Sequence, residues 1–227
     1  MDRDAHLWIV IPAFNENDVI RDVVSGLRLL YQNIIVVDDR SSDNTGATAF
    51  RAGATVLRHP INLGQGAALQ TGIRYALGRG ADYIVTFDAD GQHRADDVRV
   101  LIETQVRTGA DVVLGSRFLG NVKGIPWLRR MVLRLAVVFT RLASGMKLTD
   151  AHNGLRLLTR GAAERLWIRQ NRMAHASEII DQISALRLTV AEAPVTIVYT
   201  DYSLRKGQRL SNAVNILSDL LIARLKK

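Results

Sequence analysis

The sequence YIVTFDADGQH, residues 83–93, joins a run of β-branched and aromatic residues to an acidic turn. Two earlier runs, LWIVIPAFNE at residues 7–16 and IIVVDDRSS at residues 34–42, also pass from apolar residues into polar ones. Alternation of such runs with helical periodicity is typical of βαβ units and a mostly parallel sheet. Ligands of open sheets bind beyond the carboxyl ends of the strands. We therefore expect the three polar strand ends to converge on one crevice.

The predicted fold class is α/β, with a Rossmann-like central sheet flanked by helices. The predicted strands are Leu7–Ile11, Ile34–Val37, Thr55–Leu57, Tyr83–Phe87 and Asp111–Leu114. Helical spacing runs from Val19 to Leu30, with Asn15 or Asn17 as the N-cap. A second helix is expected after Ser42-Asp43-Asn44-Thr45, and a third over about Gln65 to Leu77.

Composition favours a single domain over residues 1–227. A chain of 227 residues with 48% hydrophobic content can bury a full core. Residues 1–120 carry 12 Lys and Arg against 15 Asp and Glu, whereas residues 121–227 carry 18 against 7. The second half is therefore expected to bind anions, a class that includes nucleic acid, anionic lipid and phosphorylated substrates.

Several classes of protein and of site are excluded or disfavoured by what the sequence lacks. It contains no cysteine, which excludes disulfides and thiolate metal sites. The first apolar stretch has no basic region before it and is too short for a signal peptide, and no apolar run reaches the roughly 18 residues of a membrane span. We therefore expect a cytoplasmic protein whose contact with the inner face of the membrane is peripheral.

The acidic turn suits a metal. Asp88 and Asp90, followed by Gly91, are hard ligands for a divalent cation that also binds phosphate oxygens, and Gln92 offers a neutral oxygen. A calcium loop is excluded because Gln92 and His93 stand where that loop needs Asp or Asn and then Gly. The alternative is that the aspartates only cap a helix that begins near residue 95.

Two further motifs have structural explanations. Gly64 and Gly66 lack the third glycine of a dinucleotide fingerprint, since Leu69 stands there, and are expected to permit a tight turn and close packing beside the site. Asp38 and Asp39 either bond the turn after their strand or offer a carboxylate to the base or ribose of a nucleotide.

The ordered set IPAFNE, VVDDRSSDNT, NLGQGAALQTG, FDADGQH, GSRF and TDAHNGLRL, spread over about residues 7–160, resembles glycosyltransferase family 2, with its GT-A fold. The resemblance implies a UDP- or GDP-linked sugar donor bound by residues 1–120, with Mg²⁺ or Mn²⁺ as cofactor. It implies a nucleotide site of Pro12, Ala13, Glu16, Asp38, Asp39, Asp88 and Ala89, a metal site of Asp88, Asp90 and Gln92, and Arg117 facing the diphosphate. One departure is Arg40, where the family commonly has glycine, and this leaves the local loop geometry open.

The second half suggests how the acceptor is bound. Residues 126–143 form a candidate helix whose Arg130, Arg134 and Arg141 fall within about 40° of one another. This helix suits an anionic membrane surface, and the alternative is a solvated face on a helix packed against the core. Together with TDAHNGLR it resembles dolichyl-phosphate mannose synthase and related polyprenyl-phosphate glycosyltransferases. The implied acceptor is a polyprenyl phosphate, with Arg130, Arg134, Asp150 and Glu178 as candidate ligands.

The C-terminal sequence adds a basic segment and an amphipathic stretch. Residues 202–208, YSLRKGQ, resemble the segment that these enzymes close over the donor phosphates, which makes Arg205 and Lys206 candidate catalytic clamps. Leu210–Lys227 has an apolar side and is expected to dock on the enzyme or touch the membrane. A separate membrane protein is a candidate partner, because many relatives continue into transmembrane helices at this point.

The predicted reaction is direct displacement at the anomeric carbon, with inversion. Asp90 through the metal, together with Arg117, Arg205 and Lys206, is expected to stabilise the departing diphosphate. A phosphate monoester has a second pKa of about 6 and is largely ionised at neutral pH, so this acceptor needs no general base.

Other functions stay open at this point. If a saccharide hydroxyl were the acceptor, Asp150 or Glu178 would serve as the base. A non-enzymatic protein that binds polyanions or lipid is disfavoured, and we expect no nucleic-acid partner. A nucleotidyltransferase is disfavoured because the basic glycine-rich loop after the first strand is missing. Roles for His152 and His175 are left open.

Overall fold

The computed structural model describes residues 6–120, 122–123, 131, 137, 145–150, 153–172, 174–199 and 202. Its strands are β1 Leu7–Ala13, β2 Asn33–Asp38, β3 Thr55–Arg58, β4 Tyr83–Thr86, β5 Val112–Ser116, β6 Val122–Lys123, β7 Arg156–Thr159, β8 Val190–Pro194 and β9 Ile197–Val198. Its helices are α1 Ile20–Arg28, α2 Thr45–Arg51, α3 Gln65–Gly78, α4 Ala95–Thr108, α5 Arg160–Arg165 and α6 His175–Ala185.

The central sheet has the strand order β3-β2-β1-β4-β7-β5-β8 within the described residues. Neighbouring strands run parallel except at β7, which lies antiparallel between β4 and β5. The mostly parallel sheet is thus confirmed, and β7 is a strand that the sequence pattern did not reveal. Because β2, β1 and β4 are neighbours, the three polar strand ends meet at one edge, as predicted. We call this the carboxyl edge of the sheet.

Both faces of the sheet are buried. Ile9 and Ile11 of β1 pack with α1 and α4 on one face, whereas Val10 packs with α3 on the other, which also carries α5 and α6. A parallel strand covered on both faces is apolar at nearly every position. This explains why the strands are continuous apolar runs rather than alternating ones.

The start of α1 differs from the prediction. Its N-cap is Val19, which makes no side-chain capping hydrogen bond. Asn15 Oδ1 instead accepts from the backbone N–H of Ser42 at 2.8 Å, and Asn17 Oδ1 accepts from Thr48 Oγ1 at 2.8 Å. The predicted asparagine cap was therefore wrong, because Asn15 binds the loop between β2 and α2, Asn17 binds α2 itself, and α1 begins after both residues.

The second half of the chain contributes β7 and β8 to the same sheet. The two predicted amphipathic helices, residues 126–143 and 210–227, lie outside the described residues except for Met131 and Val137, which are helical. Over the described ranges, no helix is both long and apolar enough to cross a membrane. The assignment of residues 1–227 to a single domain stays a prediction.

Candidate active site

Hydrogen bonds from backbone N–H groups to side-chain hydroxyls join the loops that follow β1 and β2. The N–H of Asn15 donates to Ser41 Oγ at 3.0 Å, and the N–H of Glu16 donates to Thr45 Oγ1 at 2.7 Å. These bonds fix the loop after β1 against the start of α2. The polar segments after β1 and β2 are therefore held together at the carboxyl edge.

Asp39 is buried, and both of its carboxylate oxygens contact donors from the segments around it. It accepts from the backbone N–H of Leu63 at 2.9 Å and of Gly64 at 2.6 Å, and it lies 2.7 Å from His59 Nδ1. These contacts hold the loop before α3 against the end of β2. They are the contacts of a structural residue, and nucleotide binding by Asp39 stays a prediction.

The neighbouring Asp38 is also buried. It accepts from the N–H of Ser41 at 2.8 Å and lies 3.3 Å from Arg58 Nε. Arg40 lies in the turn between Asp39 and Ser41 and adopts a left-handed φ of 64°. This conformation costs most residues about 1–2 kcal/mol and glycine almost nothing. The departure from glycine noted in the sequence therefore falls on a position where the backbone favours glycine.

The glycines of the NLGQG loop behave as expected. Gly64 has φ 101°, and a Cβ atom on it would overlap the carbonyl of Asn171. A Cβ on Gly66 would overlap the carbonyl of Gln170, and the N–H of Gly66 donates to Asn171 O at 2.8 Å. The tight turn and the close packing are confirmed, and they bring Gln65 to the acidic turn.

The predicted nucleotide residues of the first loop lie at the same edge. Pro12 and Ala13 are buried, and Glu16 Oε2 accepts from the hydroxyl of Tyr202 at 2.8 Å. Burial and this hydrogen bond raise the pKa of Tyr202. Tyr202 is the first residue of the basic C-terminal segment, so the described part of that segment begins against the β1 loop.

Asp88 lies among polar side chains from two other parts of the chain. Gln65 Nε2 donates to its Oδ1 at 3.2 Å, and His93 Nε2 lies 3.1 Å from its Oδ2. Burial raises the pKa of Asp88, but the contact with His93, followed by the charge of Arg156, outweighs burial and lowers it. Asp88 is therefore held as a carboxylate.

Asp90 has the opposite electrostatic environment. Burial and the charge of Asp88 raise its pKa to about 6, although the N–H of Gln92 donates to its Oδ1 at 3.1 Å. The alternative role as a helix cap was wrong, since α4 has Arg94 as its N-cap with no side-chain capping bond. Two carboxylates that repel each other in a half-buried turn are an arrangement that a divalent cation relieves.

The donor set fits a metal that is shared with a ligand. Within the part of the chain that the structure describes, no three His, Asp or Glu side chains gather as a metal site. Mg²⁺ is commonly bound by one or two carboxylates together with substrate phosphates rather than by an all-protein cage. Asp88 and Asp90, with the amide of Gln92 two residues on, match that pattern.

Arg117 and Asp150 form a buried ion pair next to the end of β5. Arg117 Nε donates to Asp150 Oδ2 at 2.6 Å, and its Nη1 donates to Tyr199 Oη at 3.3 Å. Burial lowers the pKa of Arg117, but Asp150 and Tyr199 raise it by more than burial lowers it. The net shift of the pKa is upward, so the guanidinium stays charged. Glu192 fixes the segment by accepting from the N–H of Thr149 at 2.8 Å and of Asp150 at 3.1 Å. Asp150 is therefore a counter-ion of Arg117.

The segment 153–156 contains residues to which the sequence assigned no role. A Cβ on Gly154 would overlap the carboxylate of Asp88, and its carbonyl accepts from Thr86 Oγ1 at 2.6 Å. Among the described residues, the buried Asn153 Nδ2 has no hydrogen-bond partner. Arg156, at the start of β7, is only 3% exposed. The sequence did contain a glycine and an arginine inside the TDAHNGLRL motif that could have indicated a role. Their position in the site depends on β7, however, which the sequence did not predict.

Glu178 and His175 lie on α6. Both oxygens of Glu178 accept from the N–H of Arg169 at 3.0 Å, and Oε2 accepts from the N–H of Gln170 at 2.8 Å. His175 Nδ1 lies 2.8 Å from Arg172 O, and burial, followed by the charge of Arg156, lowers its pKa to about 4. His175 is thus neutral at pH 7, and the contacts of Glu178 organise the loop before α6. Acceptor binding by Glu178 stays a prediction.

Several predicted residues lie outside the described residues. These are the acceptor candidates Arg130 and Arg134, the clamps Arg205 and Lys206, and His152. The remaining predicted residues meet at the carboxyl edge, apart from Glu178, whose contacts are with the loop before α6.

Comparison with known proteins identifies the family. The sequence model described as "Glycosyl transferase family 2" matches residues 8–167. The chain is 34% identical to an uncharacterized protein of Methanocaldococcus jannaschii, over 96% of this chain and 92% of that protein. It is 32% identical to the UDP-N-acetylglucosamine–dolichyl-phosphate N-acetylglucosaminyltransferase of Methanococcus voltae, over 99% of this chain and 98% of that protein.

Solved structures share the fold. Glucosyl-3-phosphoglycerate synthase of Mycobacterium tuberculosis, in complex with Mn²⁺ and UDP-glucose, superposes with a TM-score of 0.74 at 20% identity. The superposition covers 99% of this chain and 80% of that one. The expected GT-A fold is thereby confirmed.

Proposed function

The chain belongs to glycosyl transferase family 2, and we propose that it transfers a hexose from a nucleotide sugar to a polyprenyl phosphate. The observation that carries the proposal is a turn with two aspartates that lies beside buried arginines. Asp88 and Asp90 form the turn, and Arg156 lies within range of the charges of Asp88 and of Asp150, the partner of Arg117. Such a site supports two anionic phosphate groups, one on each substrate.

The relatives favour particular substrates. The Methanococcus voltae enzyme, whose name gives UDP-N-acetylglucosamine and dolichyl phosphate as substrates, matches almost the full length of this chain. A polyprenol monophosphomannose synthase of Mycolicibacterium smegmatis is 31% identical over 70% of the chain. We infer a polyprenyl phosphate acceptor and a UDP-linked hexose or N-acetylhexosamine donor, with a GDP-linked sugar as the second choice.

Asp88 and Asp90, with Gln92, would hold Mg²⁺ or Mn²⁺. A bound cation supplies positive charge to the diphosphate as it leaves. The buried guanidinium of Arg117, held in place by Asp150, would turn its dipole toward the diphosphate in a site of low dielectric, where such interactions are stronger than in water. The C-terminal segment that begins at Tyr202 would bring Arg205 and Lys206 to the same phosphates.

Phosphate chemistry also agrees with the state of the two candidate bases. Asp150 is paired with Arg117, and Glu178 accepts from backbone N–H groups. A hydroxyl acceptor would need a carboxylate that takes its proton, whereas an ionised phosphate attacks without one. We therefore propose direct displacement with inversion at the anomeric carbon. We further propose that the enzyme acts at the cytoplasmic face of the membrane and is bound to it peripherally.

The test is transfer of radiolabelled sugar. The purified protein is incubated with Mn²⁺, vesicles that contain undecaprenyl phosphate, and in turn UDP-glucose, UDP-N-acetylglucosamine and GDP-mannose. We expect one donor to give an organic-extractable product that is labile to mild acid. A donor screen by thermal shift shows beforehand which sugar nucleotide binds, because a ligand of the folded state raises the melting temperature.

Two outcomes would contradict the proposal. Transfer only to soluble saccharides would assign a hydroxyl acceptor. Absence of both transfer and donor hydrolysis, together with steeply salt-dependent binding of polyanions, would assign a non-enzymatic role.

A further inference from the structure

Arg156 is a buried cation with no hydrogen-bonding partner in the described part of the chain. The residue is 3% exposed, yet no hydrogen bond or ion pair of its guanidinium occurs among the described residues. A guanidinium carries five N–H donors, and burying it without partners is strongly unfavourable. An arrangement of this kind is stable when an anion completes it.

The position of Arg156 limits which anion that is. In the sheet it stands opposite Thr86 of β4 and Leu114 of β5, so it lies at the carboxyl edge between the acidic turn and the Arg117 segment. The charges that act on it are those of Asp88 and Asp150. Arg156 therefore lies between the region proposed for the donor diphosphate and the buried ion pair.

Both nearby carboxylates are already bound to other groups. Asp88 contacts Gln65 and His93, and Asp150 accepts from Arg117 at 2.6 Å. Neither carboxylate forms an ion pair with Arg156. His175, the other titratable neighbour, is neutral at pH 7 and competes for no anion. The guanidinium is thus available to a ligand.

We propose that Arg156 binds a phosphate oxygen of a substrate in the floor of the active site. The identity of the substrate rests on the proposed function, since the phosphate belongs either to the donor diphosphate or to the acceptor monoester. Arginine suits this task because its planar fork matches two phosphate oxygens at once. The competing explanation is that Arg156 is only a structural counter-ion of the two aspartates.

The experiment compares Arg156→Met and Arg156→Lys in the full-length protein. Calorimetry measures affinity for UDP with Mn²⁺ in one arm and for farnesyl phosphate in the other, and thermal unfolding is measured without ligand. We expect the Met variant to lose about 10- to 100-fold in affinity for one of the two ligands, because a charge-assisted hydrogen bond is removed. The ligand that is lost identifies the phosphate.

Ligand-free stability separates the two explanations. Removing an unpaired buried charge should leave the melting temperature unchanged or raise it, whereas removing a structural counter-ion should lower it. Arg99→Met is the control for the lost charge, since Arg99 lies exposed on α4 with Glu103 as its partner. We expect this control to bind both ligands normally.

Wild-type affinity of Arg156→Met for both ligands would overturn the proposal. Should the Met variant not fold, Arg156→Lys decides by the same criterion, since lysine keeps the charge but loses the two-pronged geometry. A loss of about 10-fold for one ligand would support the proposal, and unchanged binding of both would overturn it. These equilibrium measurements are independent of turnover, so they still decide the role of Arg156 if no sugar transfer to a polyprenyl phosphate is found.

Discussion

The two sides of the carboxyl edge differ in how their buried charges are matched. On the β2 side, Asp39 accepts two backbone N–H groups and contacts His59, and Asp38 contacts Ser41 and Arg58. On the β4 side, the acidic turn contains a carboxylate whose pKa is raised to about 6. Asn153 Nδ2 and His93 Nδ1 are buried there without hydrogen bonds within the described ranges. The guanidinium of Arg156, a residue that is 3% exposed, also makes no hydrogen bond within those ranges.

This difference separates scaffold from candidate catalytic site, although the two sides look alike in sequence. A carboxylate whose two oxygens both contact donors within the fold stabilises the fold. Like charges that face each other, and buried donors without acceptors, cost stability and are kept where a ligand completes them. Substitutions on the two sides should therefore have opposite effects on stability and activity.

The largest effect is expected for Asp90→Ala. We expect transfer to fall by at least about 10³-fold, equivalent to about 4 kcal/mol of transition-state stabilisation, because the cation loses a ligand. The melting temperature should not fall, since the substitution relieves the repulsion with Asp88. Initial rates with the labelled donor and thermal unfolding are the measurements. Asp96→Ala removes an exposed carboxylate from α4 and is the control. Full activity of Asp90→Ala would refute the assignment of the acidic turn.

Asp39→Asn should have the reverse signature. The amide cannot accept from all three donors, so we expect a loss of about 3 kcal/mol in the free energy of unfolding. Denaturant unfolding measures this loss, and nucleotide affinity is measured where the variant is folded. A stable variant that no longer binds UDP would instead show that Asp39 binds the base or the ribose directly.

A third effect concerns pH. His175 has a folded-state pKa of about 4 against an ordinary 6.5, so the unfolded chain takes up a proton first as the pH falls. Stability should be lost between about pH 6.5 and 4, to a total of about 3 kcal/mol from this group. The charges that act on it are those of Arg156, Asp88 and Glu178.

His175→Gln should flatten that part of the stability profile. Denaturant unfolding at several pH values measures it, and His6→Gln, which changes an exposed ring, serves as the control. An unchanged pH slope in the His175 variant would show that other groups cause the acid sensitivity.

The smallest effect is expected for Glu178→Gln. The glutamine oxygen still accepts one backbone N–H group, so we expect turnover within about threefold of wild type and a stability loss of about 1 kcal/mol. Turnover and denaturant unfolding are measured on the same preparation. A collapse of turnover would restore Glu178 as a general base and favour a hydroxyl acceptor.

Much of the fold could be predicted from local patterns. The predicted strand Leu7–Ile11 extends to Ala13, and the predicted third helix, Gln65 to Leu77, ends at Gly78. Both follow from the spacing of apolar residues along one segment. In contrast, β7 was missed because it is four residues long, begins with a charged residue and is placed by pairing with distant strands.

The sequence by itself determined the α/β fold class and the acidic turn, because each depends on residues close together in the chain. The meeting of the three polar strand ends could be predicted because parallel strands end at the same edge of a sheet. Only the tertiary structure decided which charges are matched. Asp39 meets Gly64 across 25 residues, and Arg117 meets Asp150 across 33. Arg156 is left without such a partner in the described part of the chain. Local pattern cannot reveal this, because burial and partners are set by contacts between segments that are distant in sequence.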